Sequence, residues 1–304
     1  MRGLNHWRIV GILPQDLRGK EDVVFENVIP SLRKEAGAEL NFKSCTWFST
    51  YRIHHRSASR FRDRRCFLLG DAAHIHSPVG AQGMNTGLQD AYNLGWKLAL
   101  VVKGQAGEAL LGSYEDERIP VARRLLNTTD RAFKLIVADN WLAGLFRTKI
   151  LARIAPFALS RKAIQDFAFR TVSQIGISYR KSPLSKSLQA LPASAPQAGD
   201  RFPWLRYQLK TQGPVEDLYQ KRDDTKFSLI VIGQLVEKAL DLGGLLNVYG
   251  IPSGAINAKE LARLHLPEPS FYLLRPDGHV GLCGTLLEPA AVKRYVSENL
   301  HLSV

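Results

Sequence analysis

The sequence predicts an α/β (α+β) fold in two parts, and three stretches carry that prediction. Residues 66–104, CFLLGDAAHIHSPVGAQGMNTGLQDAYNLGWKLALVVKG, join a short apolar run, a loop punctuated by glycine and proline, and a long pattern at helical spacing. Residues 227–300 alternate apolar strand-like runs with helical stretches. Between these lie residues 182–199, SPLSKSLQALPASAPQAG, dense in Ser, Pro and Ala and without periodicity, which is a linker's composition. The expected domains are therefore residues 1–181 and 200–304, with residues 182–199 as the linker.

In chain order, WRIVGIL at residues 7–13 reads as a strand and Pro14 to Asp22 as a polar loop, with a short helix from Phe25 to Lys34. SCTWFSTYRIHHR, residues 44–56, is rich in aromatic and β-branched residues and predicts another strand. The cluster Arg60 to Arg65 reads as a solvated turn, and Cys66 to Leu69 as a strand buried on both faces. Glycine and proline break any regular element from Asp71 to Met84. Thr86 and Gln89 then stand in a capping-box relation at a helix start. Leu88, Ala91, Tyr92, Gly95, Leu98 and Val102 share one helical face, and Lys103-Gly104 supplies the stop. From Ser113, SYEDERIPVARRLLNTTDRAF predicts a long helix with Ser113 as N-cap and Pro120 as a kink or restart. Beyond residue 200, strands are expected at Phe227–Gly233, Leu245–Gly250, Phe271–Leu274 and Val280–Cys283. Helices are expected at Glu237–Leu242 and Glu288–Leu300.

Composition narrows the class. The 304 residues are 45% hydrophobic and 23% charged, as in ordinary globular chains long enough for two cores. The three cysteines, Cys45, Cys66 and Cys283, are far apart and form no CxxC, so neither a disulfide framework nor a zinc site is indicated, and a reducing cytoplasm is expected. No apolar run approaches the roughly 20 residues that span a bilayer, and MRGLNHW does not read as a secretory signal. The formal charge of +13 is concentrated between Arg118 and Lys181, where 13 Lys/Arg face three acids. That region is helical in pattern and apolar throughout, without interleaved stacking aromatics. It reads as the basic outer face of packed helices rather than a nucleic-acid interface.

The strand, loop and helix of residues 66–104 make an anion site in principle. A helix's first turn leaves backbone N–H groups unpartnered, and its dipole adds roughly half a positive charge there. Gly80 and Gly83 leave room for a flat ligand to lie along the backbone, and Asp71 offers acceptor oxygens for sugar or polyol hydroxyls. His74 and His76 form an HxH pair, but no further ligand stands at a convincing spacing, so no metal is expected and a structural histidine is.

GDAAHIHSPVGAQGMNTGLQDAYNLGWKLA resembles the second flavin motif of the aromatic-ring hydroxylases, the single-component FAD monooxygenases of the p-hydroxybenzoate and phenol hydroxylase type. The resemblance implies FAD as cofactor, NAD(P)H as reductant, and transfer of oxygen from O2 to a small aromatic substrate. It implies that Asp71 holds the ribityl chain, that Pro78, Gly80, Gln82 and Gly83 line the isoalloxazine, and that Met84 and Asn85 face its N1–C2 edge. It names no catalytic residue. Trp47, Phe48 and Tyr51 are expected either as walls of a substrate pocket or as core. Residues 173–185, SQIGISYRKSPLS, also resemble the family. GDRFPW and LLRPDGHVG resemble its thioredoxin-like C-terminal domain, through which a homo-oligomer would form. The absence of CxxC argues against dithiol chemistry there.

No GxGxxG follows a strand, and the acidic residue that would complete a dinucleotide fingerprint is not found. In the family that unit holds the ADP half of FAD. The chain is therefore expected to be a partial FAD-binding domain followed by the thioredoxin-like domain, an N-terminal FAD-binding half being a missing partner. A fragment, a truncated gene product and one half of a split enzyme stay open. The expected function is FAD-dependent aromatic hydroxylation. The alternatives are a non-catalytic remnant serving assembly and a basic surface for anionic partners.

Overall fold

The computed structural model describes residues 6–37, 39–52, 54–75, 82–137, 153, 157, 160–210, 212–235 and 240–303, with side chains of the long helix described up to residue 128. Two compact units divide at Ile53/His54. In the first, α1 (Phe25–Ala36) forms where a helix is expected, closed by Gly37 at φ +60°. Phe25 packs edge-on against Phe42 and Phe48 at 5.4 and 6.2 Å. Of the two strands predicted nearby, at 7–13 and 44–56, only Arg56 enters a strand among the described residues. Trp7 makes a single bridge, residues 8–13 no ladder, and residues 44–52 none, because an extended run becomes a strand only beside a pairing partner. Trp47 and Tyr51 are 73% and 66% exposed. Phe48 and Tyr51 border a cavity of about 130 Å³ beside Val28 and Leu32.

The second unit opens with four two-residue strands: β1 (Arg56–Ser57), β2 (Arg62–Asp63), β3 (Cys66–Phe67) and β4 (His74–Ile75). β1 pairs with β4 and β2 with β3, both antiparallel. The buried strand expected at Cys66–Leu69 is thus half a tight hairpin, with Cys66 and Leu68 exposed. The start of α3 (Ser113–Val137) holds this hairpin: the Glu115 carboxylate accepts from the Phe61 and Arg62 amides, and Tyr114 Oη donates to the Leu68 carbonyl. Ser113 is the first helical residue rather than the N-cap, its Oγ donating to Leu110 O, and the helix runs through Pro120 without interruption.

α2 (Gly83–Val102) begins three residues earlier than expected. Thr86 lies inside its first turn with Oγ1 donating to Gln82 O, and Gln89 binds Gln174, so no capping box forms. Its orientation also inverts the prediction. Leu88, Tyr92, Leu98 and Val102 are exposed, whereas Asp90, Asn93 and Lys97 are buried with Leu94, Trp96 and Leu100. α4 (Lys162–Val172) follows.

A five-stranded sheet dominates the remainder, in the order β5-β11-β10-β8-β9. β8 (Phe227–Ile232) pairs parallel with β9 (Leu246–Ile251) and antiparallel with β10 (Ser270–Leu274), which pairs antiparallel with β11 (Val280–Gly284). β5 (Lys186–Ser187) lies parallel to β11. The remaining pieces are β6 (Arg206–Tyr207), β7 (Glu216–Asp217), α5 (Leu218–Lys221), α6 (Ala255–Arg263) and α7 (Pro289–Glu298). Side chains alternate across the sheet. Phe227, Leu229, Val231, Phe271 and Leu273 face α7 together with Trp96 and Leu100 of α2. Ile230, Ile232, Tyr272 and Leu274 face Phe202, Leu218 and Leu261.

The segment expected as a linker is therefore structure. It supplies β5 and buries Leu184, Leu191, Ala195 and Ala198, and its apolar residues lack periodicity because they pack singly rather than along an element. Of the helix expected at Glu237–Leu242, residues 237–239 lie outside the described residues, and 240–242 are not helical.

Candidate functional site

The site is built where the Gly70 turn meets the start of α2. Gly70 adopts φ +54°, and a Cβ on Gly87 would stand 3.2 Å from the Gly70 Cα, so glycine at both positions lets turn and helix touch. Asp71 follows on this turn, exposed and without a hydrogen bond to any described residue. The first intrahelical bond of α2 runs from Thr86 N–H to Gln82 O. The amides of Gly83, Met84 and Asn85 thus precede the helical ladder and carry its positive end. Pro78 and Gly80 lie outside the described residues, as does His76. The structure therefore brings Asp71, Gln82, Gly83, Met84 and Asn85 to one region and is silent on the intervening loop.

Beneath them lies an ionic cluster that sequence patterning missed. Asp90 Oδ2 accepts the Gly70 N–H at 3.0 Å and lies 2.8 Å from His74 Nε2, while Oδ1 accepts from Arg118 Nε at 2.6 Å. Arg118 also donates to Tyr179 Oη and to the Thr86 carbonyl, and Gln174 Nε2 donates to Thr86 Oγ1 and Gln82 O. His74 is thus a partner of Asp90, stacked on Phe61. Among the described residues, no three His, Cys, Asp or Glu side chains are grouped to hold a metal. Burial raises the Asp90 carboxyl, but the bonds from His74 and Arg118 outweigh it and leave it below its ordinary value.

A second cluster continues from the first. Glu117 accepts from Arg275 Nη1 at 2.5 Å, from Lys97 Nζ at 2.8 Å, from Asn93 Nδ2 at 2.6 Å and from Ser182 Oγ at 2.6 Å. Arg275 also binds Asp277, whose Oδ2 accepts from Trp96 Nε1 at 3.3 Å. Two carboxylates face two cations, which is the condition for burying charge at all. Burial draws the Lys97 ammonium down to about 8, against the upward pull of Glu117. The signal that could have found these residues is the polar stripe Asp90, Asn93 and Lys97 along one face of α2. Hydrophobic periodicity assigns that stripe to water.

A cleft of about 450 Å³ runs along the outer face of α2, bordered by Tyr92, Trp96, Leu100, Lys103 and Leu245. It starts at Ala91, about two turns beyond the helix start. It holds none of Asp71, Gln82, Gly83, Met84 and Asn85.

Residues 2–129 match the family model described as FAD binding domain. An uncharacterized aromatic compound monooxygenase of Bacillus subtilis is 34% identical over 278 residues, covering 91% of this chain and 52% of that protein. A rifampicin monooxygenase of Streptomyces venezuelae is 50% identical over 254 residues, covering 83% of this chain and 46% of that one. The chain is thus similar to the FAD-dependent aromatic monooxygenases. It spans about half the length of the curated relatives it matches. The solved anhydrotetracycline hydroxylase of Streptomyces rimosus superposes with a TM-score of 0.67 at 26% identity, over 92% of this chain and 53% of that one. The described residues suit a flavin. An exposed carboxylate and three helix-start amides, all without partners among the described residues, complement polyol hydroxyls and an electron-rich ring edge. Among the described residues no helix is long and apolar enough to cross a membrane.

Proposed function

We propose that this chain forms the flavin side of an FAD-dependent monooxygenase acting on a small aromatic substrate with NAD(P)H and O2. The observation that carries the reading is the Asp71 carboxylate, exposed and without a described partner, on a turn locked against the amides that open α2. FAD supplies the redox chemistry that activates oxygen. The protein's own part is to hold and polarise. Asp71 would accept hydrogen bonds from the ribityl hydroxyls, and Gln82 and Gly83 would lie along the ring. The amides of Met84 and Asn85 stabilise negative charge on the edge they face by about 0.3–2 kcal/mol.

The C-terminal sheet supports a thioredoxin-like reading: its order β9-β8-β10-β11 has one parallel and two antiparallel pairings, with α6 after β9 and α7 after β11. Its role in this proposal is structural and one of subunit contact, in a cytoplasmic enzyme.

Fluorescence titration of FAD into residues 1–304 tests the proposal. An ADP half held elsewhere removes several charge-assisted bonds, so binding should be micromolar or weaker, and the purified chain colourless. NAD(P)H oxidation stimulated by an aromatic substrate should require the remaining half of the relatives in trans. No uptake at millimolar FAD would end the flavin reading. A stoichiometric yellow chain would show that this half holds the cofactor by itself.

A further inference from the structure

Arg118 and Tyr179 connect the Gly70 turn to the distant β10–β11 turn. Arg118 uses three nitrogens: Nε donates to Asp90 Oδ1 at 2.6 Å, Nη1 to Tyr179 Oη at 2.8 Å and Nη2 to the Thr86 carbonyl at 3.2 Å. Through its other oxygen Asp90 holds the Gly70 amide. On the far side, the Tyr179 ring lies 4.4 Å from the His279 ring, and the Arg275 guanidinium lies 5.4 Å from its centroid. Its backbone N–H donates to Gly199 O, and the Gly199 N–H to Val280 O, both at 2.7 Å. All five side chains, Asp90, Arg118, Tyr179, Arg275 and His279, are buried.

We propose that Tyr179 and Arg118 are positioning residues through which the C-terminal sheet fixes the Gly70–Asp71 turn against the start of α2. By doing so they would set the geometry in which a flavin's polyol meets Asp71. The inference rests on the flavin reading of Asp71 and goes beyond it by giving the C-terminal sheet a part in the site. The turn needs such a device. Its neighbours are two-residue strands, and among the described residues its hydrogen bonds to α2 converge on one carboxylate, Asp90, from the Gly70 N–H and His74 Nε2. That carboxylate is oriented by His74 on one oxygen and by a guanidinium on the other, and the guanidinium is oriented by the Tyr179 hydroxyl. Without the hydroxyl, the guanidinium has a nitrogen to satisfy elsewhere, and Asp90 loses the fixed partner on its Oδ1 side.

Tyr179→Phe removes that hydroxyl and keeps the ring. Amide exchange on the full chain should then be at least tenfold faster at residues 70–75 and unchanged in β8 and β10. FAD affinity should fall about tenfold. Asp71→Asn combined with Tyr179→Phe should bind no more weakly than Asp71→Asn alone, since both act through one contact. Arg118→Lys, which keeps the charge and loses the fork, should act in the same direction. Unchanged exchange at residues 70–75 in both variants, or an additive double variant, overturns the proposal. If the unaltered chain takes up no FAD, the flavin reading fails, and the exchange measurement still decides whether Tyr179 governs the turn.

Discussion

Asp71 and Glu117 show two uses of a carboxylate. Asp71 is exposed with its acceptor capacity unused by described residues, as the proposed role toward a ligand requires. Asp71→Ala should weaken FAD binding by about ten- to a hundredfold, the worth of a hydrogen bond to a charged group, with little change in the unfolding midpoint. Glu117 is the reverse case, enclosed by Arg275, Lys97, Asn93 and Ser182. Burial raises its carboxyl, but Arg275 and Lys97 outweigh burial and hold it well below the usual range. Asp277 is held low in the same way by Arg275 and His279. Folded carboxyls that ionise more readily than unfolded ones bind fewer protons in acid. Their stabilisation is therefore full above the unfolded value near 4.5 and is lost as pH falls below it. The urea midpoint should drop from about pH 5 to about pH 3. Glu117→Gln should flatten that dependence and cost about 3–5 kcal/mol at neutral pH by stranding buried cations.

At the scale of elements, α2 is a helix turned outward from its pattern. Its apolar stripe, with Leu88 62% and Val102 77% exposed, runs about 27 Å from Met84 to Val102. Its polar stripe is sealed inside by Glu117, Arg118 and Arg275. A helix face of this length without cover favours association. Sedimentation of the chain should show concentration-dependent self-association that the pair Leu88→Lys and Val102→Lys removes. Persistence of association in that variant would place the contact elsewhere. The same helix shows why residue patterning reads only part of a site. The spacing of Leu88, Tyr92 and Val102 finds the helix and its stop at Lys103-Gly104, yet which face is buried depends on cations supplied from α3 and from the β10–β11 turn.

Across the whole chain, the His54–Val304 unit is joined by buried charge as well as by apolar packing. Trp96 and Leu100 of α2 enter the core on one face of the C-terminal sheet, and Arg275 reaches Glu117 on α3. This unit should therefore unfold in one cooperative transition, with circular dichroism and Trp fluorescence coincident, rather than splitting at residues 182–199. Two separated transitions would restore that segment to a linker. The sequence by itself determined the sheet runs at Phe227–Ile232, Ser270–Leu274 and Val280–Gly284, because fully buried strands need continuous apolar residues. It also determined α1, the extent of α2 to within a turn, and the resemblance to flavin hydroxylases, through some thirty consecutive residues that include Asp71 and Gly83. Tertiary structure alone decided that Trp7–Leu13 and residues 44–52 form no ladder, since pairing depends on a neighbour that composition does not encode. It also decided that Asp90, Asn93, Lys97, Glu117, Arg118 and Arg275 lie inside. A charge goes inside only where a partner from a distant part of the chain neutralises it, and that partner is fixed by the fold.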